Sequence, residues 1–160
     1  MFKTYVRSKL EYASSVWNPG YLTDIDLIEK VQRKFTKRIP GLTNLSYSDR
    51  LHHLKLDSLE LRRLRLDLCM VYKFLHGSVD CDYKQFFTLK SSITRGHRLT
   101  LNTKRFNTNL ARHSFANRVV NPWNFLTPEV INAQNFSVFR RLLAKIEQTL
   151  WKIPPTVIRE

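Results

Sequence analysis

The chain has 160 residues, 42% of them apolar, enough for the core of one ordinary domain. Its 27 Lys and Arg against 13 Asp and Glu leave a formal charge of +14, an excess that points to a polyanionic partner, most often nucleic acid. This composition excludes a collagen, a mucin, a low-complexity tail and a disulfide-built miniprotein. No apolar run approaches the roughly 20 residues that span a bilayer, and the N-terminus lacks the apolar core of a signal peptide. A soluble intracellular protein, cytoplasmic or nuclear, is expected, with no membrane partner.

Phe2, Val6, Leu10, Ala13 and Trp17 recur at helical spacing, which predicts a first helix from about Phe2 to Trp17, ended by Asn18-Pro19-Gly20. For a second helix Thr23 reads as the N-cap, with Asp24, Asp26 and Glu29 near the positive end of the dipole. Lys37 and Arg38 occupy its last turn before Pro40-Gly41. At about 100° per residue, Ile25, Ile28, Gln32, Phe35 and Ile39 fall on one side, and Lys30, Arg33, Lys34 and Lys37 on the other. One face wants a core and the other wants anions.

A short third helix is expected from Ser46, with Asp49 three residues on, to about Lys55. The fourth runs from near Ser58 to His76, with Gly77 positioned to close it. Its main stripe is Leu61, Leu64, Leu68, Val71, Tyr72 and Leu75, and a second stripe, Leu59, Leu66, Met70 and Phe74, lies roughly opposite. A helix apolar on two sides is packed on two sides, which places it at the centre of a bundle.

From Tyr83 to Pro128 there is no Asp or Glu, while Lys84, Lys90, Arg95, Arg98, Lys104, Arg105, Arg112 and Arg118 supply eight positive charges. Weak alternation over Thr94 to Leu101 predicts a short β-hairpin or an irregular segment. A helix near Phe115 to Phe125 is expected to bend or end at Pro122. The last helix, about Ser137 to Trp151, turns Val138, Phe139, Leu142, Leu143, Ile146 and Leu150 inward, and Arg140, Arg141, Lys145 and Lys152 outward. The fold class is thus mainly α: a helical bundle over 1–80, then a basic region over 81–160 whose terminal helix packs on the first part.

A polymerase or nuclease needs carboxylates converging on a divalent cation. Of the two acidic doublets, Asp24/Asp26 reads more simply as a helix start, where positions two apart point about 200° apart and cannot share one ion, and Asp80/Asp82 as a solvated loop that caps the next helix. His52 and His53 face different directions, and neither Cys69 nor Cys81 has a partner at zinc spacing. No G-x-S-x-G, P-loop or G-x-G-x-x-G is present. The sequence carries no complete active site, no metal site and no cofactor motif.

For binding, three basic features coincide: the outer side of the second helix, the Arg62, Arg63 and Lys73 side of the fourth, and the acid-free interval. Phe106, Phe115 and Trp123 lie within that interval, where they either stack on bases or, as large aromatics usually do, fill the core.

The run LEYASSVWNP from Leu10 to Pro19, followed by IDLIEKVQRKFTKRIPGL from Ile25 to Leu42, resembles reverse transcriptases of non-long-terminal-repeat retrotransposons, in particular the jockey-like, LINE-type branch. The likeness continues through LSYSDRLHHLKLDSLELRRLRLDL (Leu45 to Leu68), YKFLHG (Tyr72 to Gly77), TRGHRLTL (Thr94 to Leu101) and ANRVVNPWNFLTPEV (Ala116 to Val130), in the family's order and spacing. The resemblance implies the thumb and the region beyond it, the part of an RNA-directed DNA polymerase that grips the template and primer duplex. The family's x-Asp-Asp palm motif, fingers and endonuclease have no counterpart here, and Ser8 stands where a proline is common.

The resemblance and the charge together lead to the expectation of a non-catalytic, nucleic-acid-binding piece, a degenerate copy or a fragment. Mg²⁺ would belong only to the palm; the implied partners are template and primer RNA and DNA, and the parent palm and fingers. By charge and position alone, Lys30, Arg33, Lys34 and Lys37 lead as phosphate contacts, followed by Arg62, Arg95, Arg98, Lys104, Arg105 and Arg112. The alternative is a helical protein-interaction module with basic faces and no nucleic-acid role.

Overall fold

The structure, a computed structural model, describes residues 2–91 and 98–146. Among these it is mainly helical with almost no strand, consistent with the helical bundle read from the sequence. The chain forms two compact units, one ending at Arg63 and the other beginning at Leu64, so the division falls inside the longest described helix and not near residue 80.

The first unit opens with a π-helical turn, Phe2–Val6, then α1 (Arg7–Glu11) and α2 (Ser14–Trp17). The single helix expected here is broken at Tyr12 and Ala13. Tyr12 leaves the helical region and Ala13 takes a left-handed conformation at φ +50, a choice that costs an L-residue about 1 kcal/mol. Local bonds offset that cost: the Trp17 indole N–H donates to the Tyr12 carbonyl (2.6 Å), and Val16 N–H donates to Ala13 O (2.9 Å).

Next comes α3 (Leu22–Lys37), which starts before Thr23; the extended residue ahead of it is Tyr21, and no side chain caps it. Its buried stripe is Ile25, Glu29, Gln32 and Thr36, rotated from the expected line through Ile28, Phe35 and Ile39. Phe35 stays partly exposed and stacks on Phe2 (centroids 4.2 Å apart). The rotation has a polar cause. The Glu29 carboxylate turns inward, accepts the Leu59 N–H (3.0 and 3.2 Å) and takes the Tyr47 hydroxyl hydrogen, while the Gln32 amide donates to Asp57 O (2.8 Å) and to Tyr47 (3.2 Å).

α4 (Tyr47–Leu54) begins as expected, with Ser46 Oγ accepting the Asp49 N–H (3.2 Å), and ends on left-handed Lys55. α5 (Leu59–Leu75) follows Ser58, whose Oγ accepts the Leu61 N–H (3.2 Å). The expected Gly77 stop is present: at φ +66 it lets Gly77 N–H reach Phe74 O (3.3 Å) and Ser78 N–H reach Lys73 O (2.8 Å).

In the second unit, α5 buries Leu68, Val71 and Tyr72. Of its second stripe, Phe74 joins a cluster with Phe86, Phe87 and Phe115, whereas Leu66 is exposed. After a 3-10 turn at Tyr83–Gln85, one antiparallel bridge links Leu89 and Leu101, flanked by Lys90 N–H to Thr100 O (2.9 Å) and Asn102 N–H to Thr88 O (2.7 Å). Most of the hairpin expected over Thr94 to Leu101 lies outside the described residues.

The helix expected over Phe115 to Phe125 is two, α7 (Phe115–Arg118) and α8 (Val120–Phe125), divided at Val119 and not at Pro122. Pro122 sits in the first turn of α8, where its missing N–H costs nothing. Two short helices were not expected: α6 (Asn109–His113), capped by Thr108 Oγ1, and α9 (Pro128–Ile131), with proline at its first position. α10 (Phe136–Lys145) is capped by Asn135 Oδ1 on Val138 N–H (2.9 Å) and buries Phe139 and Leu143; the expected continuation to Trp151 lies outside the described residues. No described helix is long and apolar enough to cross a membrane.

Candidate nucleic-acid interface

Because the buried stripe of α3 runs through Ile25, Glu29, Gln32 and Thr36, the opposite side faces water. Lys30, Lys34 and Lys37, spaced i, i+4, i+7, are all exposed there, with Arg38 exposed just beyond the helix. Asp26 supplies the counter-charge at one edge, pairing with Lys30 (3.6 Å) and Arg33 (3.0 Å). Arg33 also lies over the Tyr47 ring (5.1 Å), so it is half-buried and held, a poorer phosphate contact than the three lysines.

Other arginines have turned inward. Arg62 grips Glu11 through two nitrogens, one at 2.9 Å, and the hydrogen bond to that carboxylate holds its pKa above the usual value. Its charge is committed within the first unit. Arg63 is fully buried, donating to Asn18 Oδ1 (2.8 Å). Charge alone placed Arg63 on a basic face; the structure corrects that, because α5 is buried where Arg63 stands. Arg50, also buried, donates to Thr36 Oγ1 (3.2 Å) and Leu45 O (2.6 Å).

In the second unit Arg98, Lys104, Arg105 and Arg112 are exposed, while Arg95 lies outside the described residues. Arg118 pairs with the buried carboxylate of Asp67 (2.9 and 3.2 Å) and donates to His113 O (3.1 Å). Burial, then Arg112 and Arg118, push the His113 pKa down. Outer α10 adds Arg140, Arg141 and Lys145, all exposed.

The stacking candidates of the acid-free interval do not present open rings. Trp123 is fully buried and its indole N–H donates to Leu99 O (2.9 Å). Phe115 is wedged against Phe74 and Phe87, and Phe106 is half-buried. Exposed aromatics are found instead at Phe86 and Phe125 in the second unit and at Tyr5, Tyr12, Trp17, Tyr21 and Phe35 in the first, where helical periodicity assigned Trp17 and Phe35 to a core.

The acidic doublets keep local jobs. Asp26 pairs with α3 cations, and Asp82 accepts the Lys84 N–H (3.0 Å) at the 3-10 turn. Among the described residues no three His, Cys, Asp or Glu stand together as cation ligands. His76 stacks on Tyr72 (4.0 Å) with Nε2 against Ile131 O (3.1 Å). Burial pushes the Cys69 thiol pKa up, which suits a small core hydrophobe. No protein-family model, curated protein or solved structure matches this chain.

Proposed function

We propose that this chain is a non-catalytic nucleic-acid-binding piece of the kind its sequence resembles, the thumb and downstream region of a non-long-terminal-repeat retrotransposon reverse transcriptase, working inside the cell. The observation that carries this reading is the lysine row of α3. Lys30, Lys34 and Lys37 project from one side of a helix whose other side is buried, with Arg38 beside them. Such a row meets phosphates along a backbone without reading sequence, the task of a gripping surface rather than of a reactive centre. Arg98, Lys104, Arg105 and Arg112 offer a further exposed set in the second unit.

Four α3 contacts imply a slope of log affinity against log salt near −3.6 on a duplex, hence about a 150-fold loss between 50 and 200 mM salt. A salt titration on unrelated RNA and DNA duplexes tests this: a slope steeper than about −3, shared by unrelated sequences, supports it, and flat or absent binding refutes it.

A second reading, a protein-interaction module with basic faces, is favoured by one observation. Leu27, Val31 and Phe35, at i, i+4, i+8, form an exposed apolar line beside the lysines, with Leu27 57% exposed. Under this reading an acidic amphipathic helix binds α3, and duplex binding is negligible at moderate salt.

A further inference from the structure

The lysine row explains phosphate binding and leaves the aromatic surface of the first unit unused. Tyr5 is 66% and Tyr12 81% exposed, although rings of this size are usually buried. Tyr5 stands in the π-helical turn, exposed Lys9 in α1 and Tyr12 directly after α1, so the three follow one another along about 10 Å of chain, seven residues at a helical rise. The turn that carries Tyr12 is pinned by the Trp17 indole on its carbonyl (2.6 Å). Glu11, the sole carboxylate between residues 2 and 23, is bound by Arg62 and Arg7 and does not oppose the cations.

We infer that Tyr5, Lys9 and Tyr12 form a stacking platform for unpaired nucleobases. Two open rings bracketing a cation match a strand that offers base faces and phosphates in alternation. A duplex hides its base faces, so these rings gain little from it; an unpaired strand crosses their separation in about three nucleotides at a stacked rise of about 3.4 Å. The platform rests on the reading of nucleic acid as ligand and adds a preference that the lysine row lacks, for single-stranded over double-stranded segments.

The test is fluorescence anisotropy with an unpaired oligothymidylate and a blunt duplex of the same length, using the full chain, Tyr5→Ala/Tyr12→Ala and Tyr5→Phe/Tyr12→Phe. The alanine pair should weaken strand binding by about 30-fold, about fivefold per ring, and change duplex binding by less than about twofold. The phenylalanine pair, which keeps both rings, should bind the strand like the parent, and circular dichroism should be the same for all three. No loss on the strand, or an equal loss on both ligands, overturns the platform while leaving salt-dependent duplex binding, and so the proposed function, intact. A parent chain that binds neither ligand overturns both. Polyglutamate bound as tightly as the strand and released by the alanine pair would make this a protein-docking surface instead.

Discussion

Glu29 should be the polar residue whose truncation loosens the junction of α3, α4 and α5. Its carboxylate is buried on α3, yet it satisfies the first turn of α5 by accepting the Leu59 N–H and also takes the Tyr47 hydroxyl hydrogen. Glu29→Ala leaves Leu59 N–H buried without its acceptor. A bond to a charged group is worth about 1.5–3 kcal/mol and the phenol adds about 1, so the loss should be about 3 kcal/mol. Against a usual total of about 5–15 kcal/mol, that is a large fraction. Glu29→Gln keeps shape and one neutral acceptor, and should lose about half as much. Urea unfolding followed by circular dichroism measures both, and Tyr47→Phe in each background gives the coupling, expected near 1 kcal/mol. A loss under about 1 kcal/mol for Glu29→Ala would mean that water replaces the carboxylate and that the polar node does not hold α3, α4 and α5 together.

Three further outcomes are expected. Tyr47 has its pKa raised far above its ordinary 10.0, first by burial and then by the Glu29 bond and charge, so the unfolded chain loses this proton earlier as pH rises. Stability should therefore fall above about pH 10, and Tyr47→Phe should blunt that fall in alkaline melts. Asp67→Ala removes the carboxylate that neutralises Arg118, whose side chain is only 10% exposed, and should cost about 3 kcal/mol, whereas Asp67→Leu with Arg118→Met should recover most of it in the same urea assay. His113 is held below its ordinary 6.5, so below that pH the unfolded state binds the proton more readily. Stability should decline from pH 7 toward pH 5, and His113→Asn should flatten that stretch of the pH profile, an unchanged profile excluding His113 as its source.

What the sequence made legible was local. Ser46 with Asp49, Gly77 with the Schellman pair, and the outward lysines of α3 depend on neighbours within one or two turns. What it hid depends on distant partners. Glu29 reads as a dipole complement of its own helix; its task is at α5, thirty residues on, and that pull rotates the buried stripe of α3. Arg62, Arg63 and Arg118 read as surface charge because their partners, Glu11, Asn18 and Asp67, lie 45 or 51 residues away. The break at Ala13 was illegible for another reason: alanine favours helix, and only the Trp17 bond across the turn explains its left-handed backbone. For the candidate interface, the α3 row was found by periodicity, whereas the open rings of Tyr5 and Tyr12 escaped because exposure of an aromatic has no sequence signal.

The most direct check on phosphate gripping by α3 is the duplex salt slope of Lys30→Gln/Lys34→Gln/Lys37→Gln beside that of the parent chain. Removing three contacts should make the slope shallower by about 2.7 while leaving the melting curve in place. A slope that stays where it was would contradict the account, because the phosphates would then be held somewhere other than on this helix.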